Sequence, residues 1–168
     1  MNITIRDEQA QDIQVIEVIT IEAFKDVEYS SHTEHFIVHA LRQANQLSIS
    51  LVAILEERVV GHVAVSPVLL NGEFIDWYGL GPISVLPKFQ AQGIGAQLMN
   101  AVIEKLKIMN AKGCVLLGDP NYYARFGFKA IKGLTLADVP PEYFQALSFD
   151  GQFPKAEVTY HKAFEAKS

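Results

Sequence analysis

Apolar residues follow two rhythms along this chain, and the rhythm changes where turn residues stand. Residues 3–6 alternate and predict a short strand. Asp12 is placed to cap a helix carrying Ile13, Ile16, Ile19 and Phe24, and residues 34–44 form a second helical stretch with Phe36, Ile37, Ala40 and Leu41 on one stripe. Two strand-like runs follow, 50–55 and 59–70, joined by the polar turn Glu56-Glu57-Arg58 into a hairpin. Asn71-Gly72 is a strong turn signal and leads into another strand at about 74–86. The period then lengthens. Ile94, Leu98, Val102 and Leu106 recur at helical spacing and predict a helix over 93–110, with Gly113 as its C-terminal cap. Residues 115–118 read as a buried strand, so the loop and helix before it form a crossover between two strands. A helical turn over 122–126, turns at Pro140-Pro141 and Asp150-Gly151, and a strand over 156–161 complete the chain. Three consecutive antiparallel strands ahead of a strand–helix–strand crossover define a mixed α/β class.

Composition narrows the function classes. A chain of 168 residues with 49% apolar residues is expected to fold as one domain, over 1–168, around a substantial core. The net charge of −5 and the lack of a basic stripe argue against nucleic acid, and they suit a cationic amine as readily as many other partners. The single cysteine, Cys114, lies in an apolar run, excludes an intrachain disulfide and reads as a small buried hydrophobe. His32, His35 and His39 can share a helix face, but solvated histidines are commoner than ligands there, and no metal is expected. Neither a signal peptide nor a membrane span is apparent, so the expected place is the cytoplasm, away from membranes.

The chemistry concentrates between Val85 and Ala96. A strand ends near Pro87, a loop carries Gly93 and Gly95, and a long amphipathic helix begins. Unpaired N–H groups at a helix start carry partial positive charge, and glycines let an anion come close to the backbone, which suits a pyrophosphate. A Walker loop needs Gly-Lys-Ser/Thr, which is absent, and a dinucleotide fingerprint needs a third glycine where this chain has Gln97-Leu98. Gly-x-Gly taken alone also fits a helix-start turn with no ligand.

Two motifs in order add to the loop. Gln90-Ala91-Gln92-Gly93-Ile94-Gly95, preceded by Ile83-Ser84-Val85-Leu86-Pro87, resembles the coenzyme A loop of the GNAT acetyltransferase superfamily. Tyr122-Tyr123-Ala124-Arg125-Phe126-Gly127-Phe128 resembles its Tyr-x-x-x-Gly-Phe element. With Gly61-His62, Gly81-Pro82, Leu117-Gly118-Asp119-Pro120 and Val158-x-Tyr160-x-x-Ala163-Phe164, nearly the whole chain is similar to the predicted N-acetyltransferases of the YhbS type.

The resemblance implies a central, mostly antiparallel sheet whose parallel strands four and five splay apart, flanked by helices. It implies acetyl-coenzyme A as co-substrate, lying in the splay like an added strand. Ile83, Ser84 and Val85 would bond its pantetheine arm and acetyl carbonyl through their backbone, and Gly81-Pro82 fits a disrupted ladder there. Gln90, Ala91, Gln92, Gly93, Ile94, Gly95 and Ala96 would hold the pyrophosphate, with Asn121 as a further contact at an unusual spacing. Tyr123 would act as general acid on the departing thiolate, while Tyr122 packs with its hydroxyl at a wet edge.

Many relatives carry a Glu base on a splayed strand, and this chain has none there. Asp119, Asp76, His62 or a held water remain open, as does a free amine needing no base; Asp119 also fits a helix cap and His62 a hydrogen-bonded strand residue. The acceptor side would come from the first two helices, their loop and the tail strand. Glu22, Asp26, Glu28 and His32 there fit either an attraction for a cationic amine or a solvated helix end. The expected activity is acetyl transfer to a small-molecule or peptide amine by a monomer or homodimer. A non-catalytic acyl-coenzyme A sensor is the alternative.

Overall fold

Glu56 and Glu57, both at positive φ (49° and 65°), turn the chain back on itself and join the first hairpin. In a computed structural model, which describes residues 2–168, that hairpin is β2 (Ile49–Leu55) against β3 (Arg58–Leu70). β1 (Ile3–Asp7) pairs with the free edge of β2, and β4 (Trp77–Val85) with that of β3, all antiparallel. α3 (Ile94–Ile108) carries the chain across to β5 (Gly113–Leu117), which lies parallel to β4. β7 (Phe144–Ser148) then closes the far edge of β5, so the main sheet runs β1-β2-β3-β4-β5-β7. β6 (Leu134–Thr135) and β8 (Ala156–Tyr160) form a smaller patch in which β8 pairs with the end of β3.

Helices cover both faces of this sheet. The odd-numbered residues Leu51, Ala53, Val63 and Val65 meet Leu98, Val102 and Leu106 of α3 in one fully buried cluster. On the opposite face Val52 packs under Ile16 of α1 (Ile13–Phe24) and Val38 of α2 (Glu34–Gln43). Burial on both sides explains why β3 reads as a near-continuous apolar run.

Four sequence expectations change. Asp12 does not cap α1: its carboxylate takes Arg6 at 2.6 and 3.1 Å and the Gln9 N–H at 2.7 Å, folding the strand end onto a 3-10 turn before the helix. Gly113 is not a helix cap. Asn110, at φ 61°, closes α3, and Gly113 opens β5 because a Cβ there would strike the Trp77 ring. β4 begins at Trp77 rather than at 74. The buried stripe of α2 is Ile37, Val38 and Leu41, with Phe36 and Ala40 half-buried, since α2 packs against both the sheet and Ala163 of the tail.

Candidate active site

Ladder partners decide where the sheet opens. Between β3 and β4, Val63 faces Ile83 but Val65 faces Leu80, so Gly81 and Pro82 together oppose the single residue Ala64. This two-against-one count is a bulge on β4, which is what Gly81-Pro82 led one to expect. Between β4 and β5 the parallel pairing runs from Trp77–Gly113 to Gly79–Val115 and then stops. Beyond that point β5 stays with β7 through Leu117–Phe144, and the Gln145 amide donates to the Gly118 carbonyl at 2.9 Å. Ile83, Ser84 and Val85 therefore lie on a stretch of β4 with no strand on its β5 side. Ile83 and Val85 pack toward α3, and Ser84 is buried on the other face opposite His62.

β4 runs directly into the anion loop. A 3-10 turn, Pro87–Phe89, is followed by Ala91 at φ 60° and Gly93 at φ 85°, and Ile94 starts α3. The first α-helical bond is Gln97 N–H to Gly93 O at 3.1 Å, so the amides just before it have no helical acceptor. Gln90 Nε2 donates to Val85 O at 2.9 Å and ties the loop to the open strand. A cleft of about 310 Å³ lies over this loop, lined by Gln90, Ala91, Gly93, Ile94, Gly95 and Ala96 among others. Its other wall holds two residues given no phosphate role from sequence. The Tyr122 hydroxyl lies near Gly95, and Arg125 stacks on the Tyr122 ring at 4.5 Å while donating to the Tyr122 carbonyl at 3.1 Å. The signal for Arg125 was present: it is the one cation within the Tyr-x-x-x-Gly-Phe element.

Tyr123 stands at the end of β5, in the last turn of α4 (Pro120–Tyr123). Its ring lies against Gly118, where a Cβ would collide with it, and edge-on to Tyr122 at 4.9 Å. Burial, with Tyr122, Tyr29 and Asp119 nearby, pushes its phenol up to about 12, so it stays protonated at neutral pH. Asp119 is exposed and caps α4, accepting the Asn121 N–H at 2.9 Å; Asn121 itself is exposed and lines neither the loop cleft nor the cleft at Asp119.

The base candidates are separated in space. Asp76 sits at the closed end of the β4–β5 pair, where its carbonyl accepts from Lys112 N–H. His62 is fully buried; its Nε2 is 2.8 Å from Ser50 Oγ, which is 2.6 Å from Glu8 Oε1, and Glu8 takes Arg42 at 2.7 and 2.9 Å. A carboxylate only accepts, so Ser50 donates to Glu8 and accepts from His62 Nε2–H, leaving Nδ1 as the bare nitrogen. Neither His62 Nδ1 nor Ser84 Oγ has a partner among the described residues. Burial lowers His62 to about 4. Burial opposes charge on Glu8 as well, but hydrogen bonds from Arg42 and Ser50 outweigh it and hold the carboxyl below its ordinary value. Asp119 is thus the one carboxylate of the named candidates at the open end. Glu22, Asp26, Glu28 and His32 are all exposed. Cys114 is buried, and burial raises its thiol. No group of three or more metal-ligating side chains occurs among the described residues.

Residues 46–130 match the family model of the acetyltransferase (GNAT) domain, about half of the chain. The chain belongs to the GNAT acetyltransferases. This GNAT chain is 38% identical over 110 residues to the uncharacterized N-acetyltransferase YhbS of Escherichia coli K12, covering 65% of this chain and 66% of that protein. The match therefore spans just under two thirds of the curated relative's length. Solved structures extend the likeness to nearly the whole chain. A GNAT acetyltransferase from Brucella melitensis, in complex with acetyl-CoA, has a TM-score of 0.88 and 47% identity, over 97% of this chain and 98% of that one. Escherichia coli YhbS in complex with CoA has a TM-score of 0.90 and 30% identity, over 100% and 94%. The mixed sheet with parted parallel β4 and β5 and flanking helices is the GNAT fold.

Proposed function

We propose that this protein moves the acetyl group of acetyl-coenzyme A to a primary amine by direct attack. The observation that carries the reading is continuity. The bare edge of β4 leads at one end into the amide-rich start of α3, and the facing strand β5 leads into Gly118 and Tyr123. A thioester carried on a pantetheine arm, with a pyrophosphate behind it, matches that sequence of an extended backbone edge followed by an anion site. Relatives with 47% and 30% identity and the same fold were solved with acetyl-CoA and CoA.

In this reading Ile83, Ser84 and Val85 present backbone groups to the arm and steady the developing oxyanion. Gln90, Ala91, Gln92, Gly93, Ile94, Gly95 and Ala96 hold the pyrophosphate, Arg125 adds a cation, and Asn121 is a peripheral contact. The amine nitrogen bonds to the carbonyl carbon, the carbon–sulfur bond breaks, and the sulfur takes the Tyr123 phenol proton. The proton lost by the amine goes to water or to Asp119. Cys114, buried within β5, takes no part as an acyl carrier.

The test is release of free coenzyme A thiol from acetyl-coenzyme A in the presence of pooled small polyamines, amino acids, aminoglycosides, alkylamines and peptides. Thiol release dependent on an acceptor supports transfer. Tight binding with no release from any pool favours the sensor reading, which the lack of a carboxylate on the parted strands keeps as the alternative.

A further inference from the structure

Large apolar side chains exposed to water are usually scattered, and a cluster of them marks a place that something else covers. Three of the nine exposed large apolar side chains among the described residues gather at one spot: Tyr29 at 95%, the most exposed of the nine, with Tyr143 at 46% and Leu117 at 45%. They come from the loop between α1 and α2, from the turn before β7 and from the end of β5. Together with Val139 and Pro140 they line a cleft of about 740 Å³, which lies within the range of ~300–1,000 Å³ usual for small-molecule sites. Asp119 is the sole charged group among the lining residues. One of its oxygens, Oδ1, takes the Asn121 N–H; Oδ2 has no hydrogen-bond partner among the described residues.

This cleft adjoins Tyr123 at the end of β5. Gly118 lines it and also touches the Tyr123 ring. Tyr29 and Asp119 line it and lie close enough to Tyr123 to act on its phenol.

We propose that this cleft receives the acceptor, and that the acceptor is a small primary amine carried on an aromatic or branched aliphatic body. The inference rests on the acetyl-transfer reading above. The apolar body lies against Tyr29, Tyr143 and Leu117, and the ammonium pairs with Asp119 Oδ2 before losing its proton to water. A polyamine or an aminoglycoside carries charges or hydroxyls along its length. Against tyrosine faces, leucine, valine and proline, most of those groups lose water without gaining partners, which is unfavourable for each one. A site with one carboxylate and an apolar wall therefore selects for one nitrogen and a greasy remainder.

The experiment compares phenethylamine and isoamylamine with spermidine and kanamycin, following thiol release from saturating acetyl-coenzyme A, with thermal stabilisation by acetyl-coenzyme A measured in parallel. The expected result is a kcat/KM for the two apolar amines at least about tenfold above the other two. Tyr29→Ala should raise KM for the apolar amines about tenfold with kcat within about twofold, and Tyr29→Phe should keep KM near its original value. Tyr29 is in an exposed loop, so its truncation does not threaten the fold. Preference for spermidine or kanamycin, equal use of both kinds, or no effect of Tyr29→Ala overturns the acceptor class and leaves acetyl transfer standing. No thiol release with any of the four, while acetyl-coenzyme A still stabilises the protein, overturns this inference; the transfer reading falls with it only when the pooled amino acids and peptides also release none.

Discussion

Giving a phenol proton held at about 12 to a thiolate, whose thiol ordinarily titrates at about 8.5, is uphill; in the transfer reading the donation works only where the departing thiolate is as poorly solvated as the phenolate left behind. Tyr123 is loaded with its proton throughout the neutral range and has one neighbour, Gly118, too small to displace its ring. Tyr123→Phe keeps the ring and removes the proton. Turnover is expected to fall about 100-fold, while coenzyme A affinity, measured by calorimetry, stays within about threefold of the original.

His62 sets a different pH dependence, that of stability. Once unfolded, the imidazole takes a proton below about 6.5; folded and buried, it refuses that proton until about 4. Between those values the unfolded chain holds more protons, so acid favours unfolding and stability is lost as pH falls through the window. The loss is about 2 kcal/mol between pH ~7 and pH ~5, read as a shift in the urea midpoint. His62→Gln should flatten that slope; an unchanged slope would place the acid sensitivity elsewhere. Glu8 and Asp12, both held below their ordinary values by arginine partners, add their own losses only at lower pH.

Among the elements, the loop before α3 was the most legible in sequence. The shift from strand to helix period at Ile94, with two glycines and Gln90 ahead of it, locates the loop without coordinates. The bulge was half-legible, because Gly81-Pro82 announces a broken ladder but not its partner Ala64. β7 was not legible. Phe144-Gln145-Ala146-Leu147-Ser148 is short and does not alternate, and its first three residues are all buried, Gln145 because its amide serves the Gly118 carbonyl. Arg125 was half-legible: three residues after Tyr122 on one helical turn, it is spaced to meet that ring, but only the folded chain brings the pair over the loop before α3. Arg125→Ala should raise KM for acetyl-coenzyme A about tenfold, leave kcat within about twofold, and weaken the dependence of that KM on salt, since one exposed cation has gone. A kinetic series at several ionic strengths checks all three.

At the scale of the molecule, the tail serves the sheet as well as α2. Residues 156–161 were expected on the acceptor side with the first two helices. β8 pairs with Val68, Leu69 and Leu70 at the end of β3, the Tyr160 ring lies on Gly79, where a Cβ would strike it, and Ala163 just beyond packs against α2. Gly79 is the last residue of β4 still paired to β5. The tail thus packs where the two parallel strands begin to part, while the segment around Val139 to Tyr143 lines the cleft beside Asp119. Tyr160→Ala leaves a void there and should destabilise the protein by about 3 kcal/mol, seen as a lowered thermal midpoint. No described helix is long and apolar enough to cross a membrane.

The interrupted ladder also makes a prediction about time. Backbone amides of Ile83 to Val85 that point away from β3 have no neighbouring strand to shield them, so their hydrogens should trade with solvent deuterium far faster than those of Val63 or Val65 beside them. A ligand that lies along the gap would slow that exchange residue by residue. At about 100 times its dissociation constant it would also hold the whole chain folded by about 2.7 kcal/mol more. The survival of this protein against heat or protease would then track the supply of its acyl donor, making the open place in the sheet a gauge of that supply. Deuterium uptake measured with and without acetyl-coenzyme A reads the gauge directly, and protection confined to other segments would show that the gap is not where the donor lies.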